Sequence, residues 1–130
     1  MTTQPEARAI VLIDHGSRRA EANQQLEELA LKIRAREPQT IVQTAHLEIA
    51  EPDLDAAIDA CVKAGARTIV IHPYFLGPGR HTSEDIPRLV AQAKVRHPEV
   101  LLRISAPLGI HDKLVDVVLE RVRESGDSEP

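Results

Sequence analysis

Short apolar stretches of strand length alternate along the chain with longer stretches whose apolar residues recur every three or four positions. The apolar stretches predict four strands, at residues 8–13, 40–49, 67–71 and 100–105. The longer stretches predict four helices: residues 20–36, a helix opened by Glu51-Pro52-Asp53, a helix capped by Ser83 or Asp85 and ended by His97-Pro98, and a helix capped by Asp112. Their core-facing residues are predicted to be Leu26, Leu29, Ala30 and Ile33; Leu54, Ala57, Ile58, Cys61 and Val62, with Gly65 after the helix; Ile86, Leu89, Val90 and Ala93; and Leu114, Val117, Val118 and Val122.

This order, a strand followed by a helix four times over, is typical of an α/β fold. It predicts a four-stranded, mostly parallel sheet with helices on both faces and right-handed crossovers. The length of 130 residues fits one domain spanning residues 1–130, and the polar ends, residues 1–7 and 125–130, are expected to be disordered. In the second strand, alternation places Ile41, Ala45, Leu47 and Ile49 on one face and Val42, Thr44, His46 and Glu48 on the other.

Composition narrows the class of protein. Aromatic residues are only 2% of the chain, so the core must be aliphatic, and the single cysteine, Cys61, belongs to that core and permits no intrachain disulfide. The net charge of -4 and the lack of long runs of one sign argue against nucleic acid as a partner. No apolar segment is long enough to span a bilayer and no leader opens the chain, so we expect a cytoplasmic protein without a membrane partner.

Polar side chains suited to metal binding follow three of the predicted strands. His15 comes directly after the first strand, Glu48 lies at the end of the second, and His81 lies in the glycine-rich loop after the third. Sites in open α/β sheets form outside the carboxyl ends of the strands, so we expect these three residues to converge. Two imidazoles and one carboxylate suit a divalent first-row metal ion and leave coordination positions open, as a reactive site requires.

Each of these residues also has a plainer interpretation, and their spacing alone leaves both open. His15 can hydrogen-bond within a strand-to-helix turn, Glu48 can be a solvated carboxylate, and His81 can cap the helix that follows it. His46 shares the strand face of Glu48 and is a rival for the same role. The other histidines are expected to be structural: His72 is packed ahead of a proline, and His97 and His111 lie at the surface.

Groups that favour anions accompany the three candidates. Gly16-Ser17 and Pro78-Gly79 each lead towards a predicted helix, where backbone N–H groups favour negative charge. Arginines beside these turns can grip carboxylates in a bidentate manner. They are Arg18, Arg19 and Arg80, and at least one of the first two is expected to be solvated. No G-x-G-x-x-G or P-loop pattern is present, which disfavours a nucleotide cofactor.

Together these residues resemble the small sirohydrochlorin chelatases, single-domain members of the class II tetrapyrrole metal chelatases. The resemblance rests on His15-Gly16-Ser17, on the segment H-L-E-I-A-E-P at residues 46–52, and on Pro73-Tyr74-Phe75-Leu76-Gly77-Pro78-Gly79-Arg80-His81 with Asp85-Ile86-Pro87. It covers residues 10–108, and the third motif is the specific one. Asp14 replaces the small residue commonest before the family histidine, so its role stays open.

The resemblance implies one chelatase lobe, a flavodoxin-like three-layer sandwich, that inserts cobalt or iron, and nickel in some relatives, into sirohydrochlorin for siroheme or cobalamin synthesis. It implies that His15, Glu48 and His81 bind the metal and carry out the insertion. The tetrapyrrole would be bound by Ser17, Arg18, Phe75, Leu76, Gly77, Gly79 and Arg80. It implies no cofactor beyond the substrate metal ion, cobalt(II) or iron(II). Two-lobed chelatases close a cleft between two similar lobes, so this shorter chain is expected to form that cleft as a homodimer.

Other functions are compatible with the same pocket. A non-catalytic carrier of metal or tetrapyrrole would bind its ligand without accelerating insertion. An iron(II) oxygenase also uses two histidines and one carboxylate, but the α/β pattern disfavours it. A phosphoryl-transfer enzyme with His15 as nucleophile would leave the loop after the third strand unexplained.

Overall fold

The computed structural model describes residues 7–77 and 79–126, and for residues 80–83 it describes the backbone alone. Eight elements alternate in the order that the sequence predicts. They are β1 (Ala7–Asp14), α1 (Ala20–Arg36), β2 (Ile41–His46), α2 (Leu54–Lys63), β3 (Ala66–Pro73), α3 (Arg80–Arg96), β4 (Leu101–Ile104) and α4 (Asp112–Ser125). The expected disorder is wrong at Ala7, which begins β1, and at Ser125, which ends α4. Residues 1–6 and 127–130 lie outside the described residues.

The four strands form one parallel sheet in the order β2-β1-β3-β4. α1 connects β1 to β2 and covers one face, whereas α2 and α3 lead in the opposite direction across the sheet and cover the other face. Helices that lead in opposite directions lie on opposite faces when all crossovers share one hand. The predicted parallel sheet with helices on both faces is therefore confirmed.

Two apolar clusters fill the space between the sheet and the helices. The smaller one packs Leu12 and Val42 of the sheet against Leu26 and Ala30 of α1. The larger one lies under α2 and α3, and it includes Cys61, which is fully buried as predicted. Burial raises the pKa of the Cys61 thiol to about 12. The largest fully buried side chains of this cluster are aliphatic: Ile13, Leu54, Ile58, Ile69, Ile71 and Ile86.

β2 ends at His46 and is therefore shorter than the predicted strand at residues 40–49. The N–H of His46 donates to the carbonyl of Pro52 at 2.8 Å, which closes a loop over the residues between them. Ile49, predicted to lie on a strand face with Leu47, is 63% exposed and has a left-handed φ of 75°. Glu48 therefore lies in a loop beyond β2 and not on a strand face.

α3 begins at Arg80, earlier than the predicted caps at Ser83 or Asp85. The helix holds Pro87 in its interior and extends further towards the amino terminus. His81 consequently lies in the first turn of a helix and not in the preceding loop.

Two other helix starts differ in detail from their predictions. Asp53 caps α2 by accepting from the N–H of Ala56 at 2.9 Å, so Pro52 lies outside the helix. His111, and not Asp112, caps α4, because its Nδ1 accepts from the N–H of Lys113 at 3.0 Å. Both caps supply an acceptor to a backbone donor that the first helical turn leaves unpaired.

α4 buries none of its residues, so its predicted core-facing stripe is wrong. Val118 and Val122 are 59% and 61% exposed, and only Leu114 of the predicted stripe is half-buried. The helix is tied to the fold ahead of its start, where the N–H groups of Leu108 and Gly109 donate to the loop after β3. Within the described ranges, no helix is long and apolar enough to cross a membrane.

Candidate active site

The segments that leave β1, β2 and β3 lie side by side at the carboxyl edge of the sheet. The N–H of Glu48 donates to the carbonyl of His15 at 3.0 Å, and the N–H of Leu47 donates to that of Asp14 at 2.8 Å. On the other side of β1, the N–H of Tyr74 donates to the carbonyl of Ile13 at 2.7 Å. The strand ends therefore bring the His15 turn next to both neighbouring loops, as their order in the sheet requires.

His15 is exposed and rests against an aromatic side chain that is anchored in the core. Its ring meets the Phe75 ring edge-on, with 4.7 Å between the ring centroids and an interplanar angle of 74°. Phe75 is half-buried and packs against the larger apolar cluster. An open cavity of about 230 Å³ lies beside the imidazole. It is lined by Asp14, His15, Gly16, Ser17, Ala22, Asn23, Tyr74 and Phe75.

Gly16 allows the His15 turn to approach the Glu48 loop closely. Its φ is +91°, a conformation that favours glycine. A Cβ atom at this position would lie 1.9 Å from the carbonyl oxygen of Glu48 and 3.1 Å from the Cβ of His46. No side chain fits in that space. The glycine of the H-G-S motif is therefore required by the contact between two loops, as well as by the turn itself.

The exposed Glu48 borders a second cavity of about 230 Å³, between its loop and α3. Asp85 and Arg88 of α3 line this cavity, and Arg88 donates to Asp85 at 3.3 Å. His81 precedes these residues by four and seven positions, and helical periodicity puts such positions on one face. The first turn of α3 therefore belongs to the same edge as Glu48 and His15.

The three predicted metal ligands are thus carried by neighbouring segments, but their ligand role stays a prediction. The side chain of His81 lies outside the described part of the structure. Among the side chains that are described, no three His, Cys, Asp or Glu residues are grouped closely enough to hold a metal ion. A complete site consequently depends on the side chain of His81.

The predicted substrate-binding residues surround the same edge. Ser17 is half-buried, and its hydroxyl oxygen accepts from the N–H of Arg19 at 3.0 Å. Its backbone N–H and carbonyl are both bonded to the side-chain amide of Asn23, at 2.9 and 2.7 Å, which fixes the turn before α1. The remaining candidates are Arg18, Leu76, Gly77 and Gly79, all exposed, the half-buried Phe75, and Arg80, whose side chain is not described.

Two residues left without a role by the sequence, Asp14 and His46, form a pair beneath this site. The His46 ring is 3% exposed, and its Nδ1 lies 2.5 Å from Oδ1 of Asp14. His46 is therefore buried and paired, and it is no surface rival to Glu48. The sheet register sets the two residues directly opposite each other, a relation that strand alternation in the sequence does not reveal.

His72 is half-buried and His111 exposed, as expected, whereas His97, expected at the surface, is only 19% exposed. The Nδ1 of His72 lies 2.8 Å from the hydroxyl of Ser105, and burial lowers the pKa of this half-buried imidazole. His97 lies at the end of α3, where its Nε2 is 2.8 Å from Oδ1 of Asp59. That hydrogen bond is the main reason why the pKa of Asp59 is lowered.

Comparison with known proteins defines the class to which this fold and site belong. A family model described as CbiX matches residues 9–125, and the chain belongs to the CbiX family. The chain is 43% identical over 118 residues to the chloroplastic sirohydrochlorin ferrochelatase of Arabidopsis thaliana, covering 91% of this chain and 52% of that protein. It is 32% identical over 138 residues to a sirohydrochlorin cobaltochelatase of Methanococcus maripaludis, covering 87% of this chain and 96% of that protein.

A solved structure of SirB from Bacillus subtilis with Fe3+ has the same fold. It superposes with a TM-score of 0.84 at 30% sequence identity, covering 94% of this chain and 48% of the SirB chain. This chain therefore spans about half the length of the plant and Bacillus proteins and nearly the full length of the archaeal one. The α/β fold and the resemblance to class II chelatases are both confirmed.

Proposed function

We propose that this protein inserts a divalent metal ion, cobalt or iron, into sirohydrochlorin. The names of its relatives support this activity, and so does the meeting of three polar segments at one edge of the sheet. The observation that carries the proposal is the backbone hydrogen bond from Glu48 to His15, which holds two of the predicted ligands side by side. The archaeal relative supports the activity in a chain of this length.

The proposed reaction exchanges two pyrrole protons of the ring for a metal dication. A neutral imidazole binds a metal through a ring nitrogen and also accepts protons, so His15 and His81 suit both halves of the exchange. Glu48 would offset the charge of the ion, and its exposure would let it pass protons to solvent. The carrier alternative keeps the same ligands but lacks this proton transfer.

The ring itself needs partners for its carboxylates and for its apolar faces. Arg18 and Arg80 would bind the carboxylates, with the Ser17 hydroxyl as a further donor. The N–H groups of Gly16, Ser17 and Arg19 before α1 are already bonded within the turn. Phe75 and Leu76 would contact the macrocycle, and Gly77 and Gly79 would let it approach the backbone. Leu76 is 76% exposed, so its apolar side chain is available next to Phe75 in the loop after β3.

Several finer expectations are part of the same proposal. The relatives' names support cobalt and iron, which we expect as cobalt(II) and iron(II), and nickel stays a further candidate. Either siroheme or cobalamin synthesis would use the product. Affinity for divalent metals follows the Irving–Williams order, so the metal bound most tightly need not be the one inserted. The cytoplasmic location and the lack of a nucleotide cofactor stay predictions.

The activity is tested by anaerobic insertion of cobalt(II) and of iron(II) into sirohydrochlorin, followed through the visible spectrum. We expect the wild type to accelerate insertion over an enzyme-free control and His15→Ala to lose that acceleration. His97→Ala, which removes a histidine bonded to Asp59 at the other end of α3, should keep it. Metal binding without acceleration by the wild type would favour the carrier alternative over the chelatase.

We further propose that the chain works as a homodimer formed through α4 and β4. This chain matches 48% of the Bacillus SirB chain, and a second copy would supply a lobe corresponding to the rest. α4 exposes an apolar face, and β4 is an edge strand whose Leu101 and Ile104 are 45% and 40% exposed. The face also borders a cavity of about 350 Å³. The apolar residues lining this cavity are Leu76, Ile110, Leu114, Val115, Val118 and Leu119.

The dimer is tested by light scattering on the eluting protein. We expect the wild type to have twice the mass of the 14.3 kDa chain. Val118→Asp places an unpaired charge in the proposed interface, which should weaken dimerisation on the order of 100-fold. Asp116→Asn changes an exposed polar position of the same helix and should leave the mass unchanged. A monomeric wild type at micromolar concentration would contradict the proposal.

A further inference from the structure

Asp14 and His46 are the last residues of two adjacent parallel strands, and the sheet register places them directly opposite each other. His46 and Thr44 are the buried polar residues of the described chain. A buried imidazole is unfavourable unless its polar atoms are bonded, so His46 needs a partner. Asp14 provides one, because its Oδ1 lies 2.5 Å from Nδ1 of His46.

The same carboxylate oxygen also holds the turn that carries His15. Oδ1 of Asp14 accepts from the N–H of Gly16 at 3.0 Å, in addition to Nδ1 of His46. His15 lies between the two residues that are bonded in this way, so the path of its backbone is set on both sides. The side chain of Asp14 is 22% exposed and lines the floor of the cavity beside the His15 ring.

His46 is joined in a similar way to the loop that carries Glu48. Its backbone N–H donates to the carbonyl of Pro52, which closes that loop, and its Cβ lies 3.1 Å from the position of a Cβ on Gly16. His46 therefore lies close to the Gly16 turn as well as at the start of the Glu48 loop. Its bond to Asp14 links the start of one loop to the start of the other.

We infer that Asp14 and His46 are positioning residues that hold the His15 turn and the Glu48 loop in register, so that both predicted ligands reach one metal ion. The inference rests on the proposed metal site and adds to it two residues that contact neither the ion nor the ring. The pair acts through its hydrogen bond and its shape. A side chain of similar shape that keeps an N–H donor towards Asp14 can therefore replace His46, even though it has no ionisable ring.

The test compares two replacements of His46 by their effect on cobalt(II) affinity, measured without tetrapyrrole. His46→Leu removes the donor, and we expect about a 10- to 100-fold loss of affinity, as for other residues that orient metal ligands. His46→Asn places an amide N–H close to the Nδ1 position, and we expect affinity within about threefold of the wild type. His97→Leu breaks the other imidazole–aspartate pair, with Asp59, and should not change the affinity.

Amide hydrogen exchange provides a second measurement that needs no metal. The amides of Leu47 and Glu48 donate across the two loops, and we expect them to lose protection in His46→Leu and to keep it in His46→Asn. Folded His46→Leu with wild-type affinity and protection would overturn the inference, and so would His46→Asn as impaired as His46→Leu. A wild type that binds cobalt(II) but inserts none would overturn the proposed activity alone, because both measurements would still report on the pair.

Discussion

Replacement of Gly16 by alanine tests how closely the two ligand-bearing loops must approach. The new Cβ would lie 1.9 Å from the carbonyl oxygen of Glu48, whereas an ordinary contact begins at 3.4 Å. The loops would have to separate by about 1.5 Å, because the opposing atom is part of the backbone and has no rotamer to change. Separation on this scale breaks the 3.0 Å hydrogen bond between Glu48 and His15.

The expected magnitudes follow from these contacts. A left-handed φ costs an alanine about 1–2 kcal/mol relative to glycine, and loss of the hydrogen bond between the loops adds about 1 kcal/mol. Gly16→Ala should therefore lower the free energy of unfolding by about 2–3 kcal/mol. The relative loss of metal affinity should exceed the relative loss of stability, because metal–ligand distances tolerate shifts of only about 0.2 Å.

Urea unfolding and cobalt(II) titration of the same samples would measure both effects. Gly65→Ala is the matched control, because Gly65 has a φ of +100° but a Cβ added there would meet no atom within 4 Å. It should show the backbone strain alone, with unchanged cobalt affinity. If Gly16→Ala matched Gly65→Ala in stability and the wild type in affinity, the close approach of the loops would be irrelevant to the site.

Three further predictions concern individual side chains. Burial lowers the pKa of His72 in the folded protein, so as the pH falls the unfolded chain binds a proton first, near pH 6.5. The free energy of unfolding should therefore fall as the pH drops below about 6.5. His72→Asn should flatten this pH dependence in urea titrations, and an unchanged slope would contradict the prediction. Phe75→Leu should raise the mobility of the His15 ring in NMR relaxation and lower the insertion rate, and unchanged values for both would show that the edge-on contact is incidental. The Cys61 thiol should resist Ellman's reagent in the native protein at pH 8 and react in urea, whereas fast native labelling would show that it is accessible.

The fold was predictable because the strands are short apolar runs and the apolar residues of the helices recur every three or four positions. The bounds of α1 were predicted to the residue, since periodicity and the following proline agree there. α4 shows the limit of such reasoning, because its apolar stripe predicted a core-facing surface that the described chain leaves exposed. β2 shows another limit, since a backbone hydrogen bond to Pro52 ended the strand where side-chain alternation continued.

The candidate site was predictable only as far as strand ends define it. The topology brings His15 and Glu48 together because β1 and β2 are neighbours, and the sequence order already suggested that edge. The burial of His46 against Asp14 was not predictable, because strand alternation gives a face and not the depth of burial or the partner. The start of α3 at Arg80 was also missed, because the prediction relied on Ser83 or Asp85 as the capping residue, and both lie inside the helix.

The position of bound cobalt would test the proposed metal centre most directly. Crystals of the protein soaked in cobalt(II) can be measured on both sides of the cobalt absorption edge, and the anomalous difference map locates the ion. We predict one strong peak per chain, about 2.1 Å from a ring nitrogen of His15, a ring nitrogen of His81 and a carboxylate oxygen of Glu48. A peak held by other residues, with His15 and Glu48 not coordinated, would contradict the account.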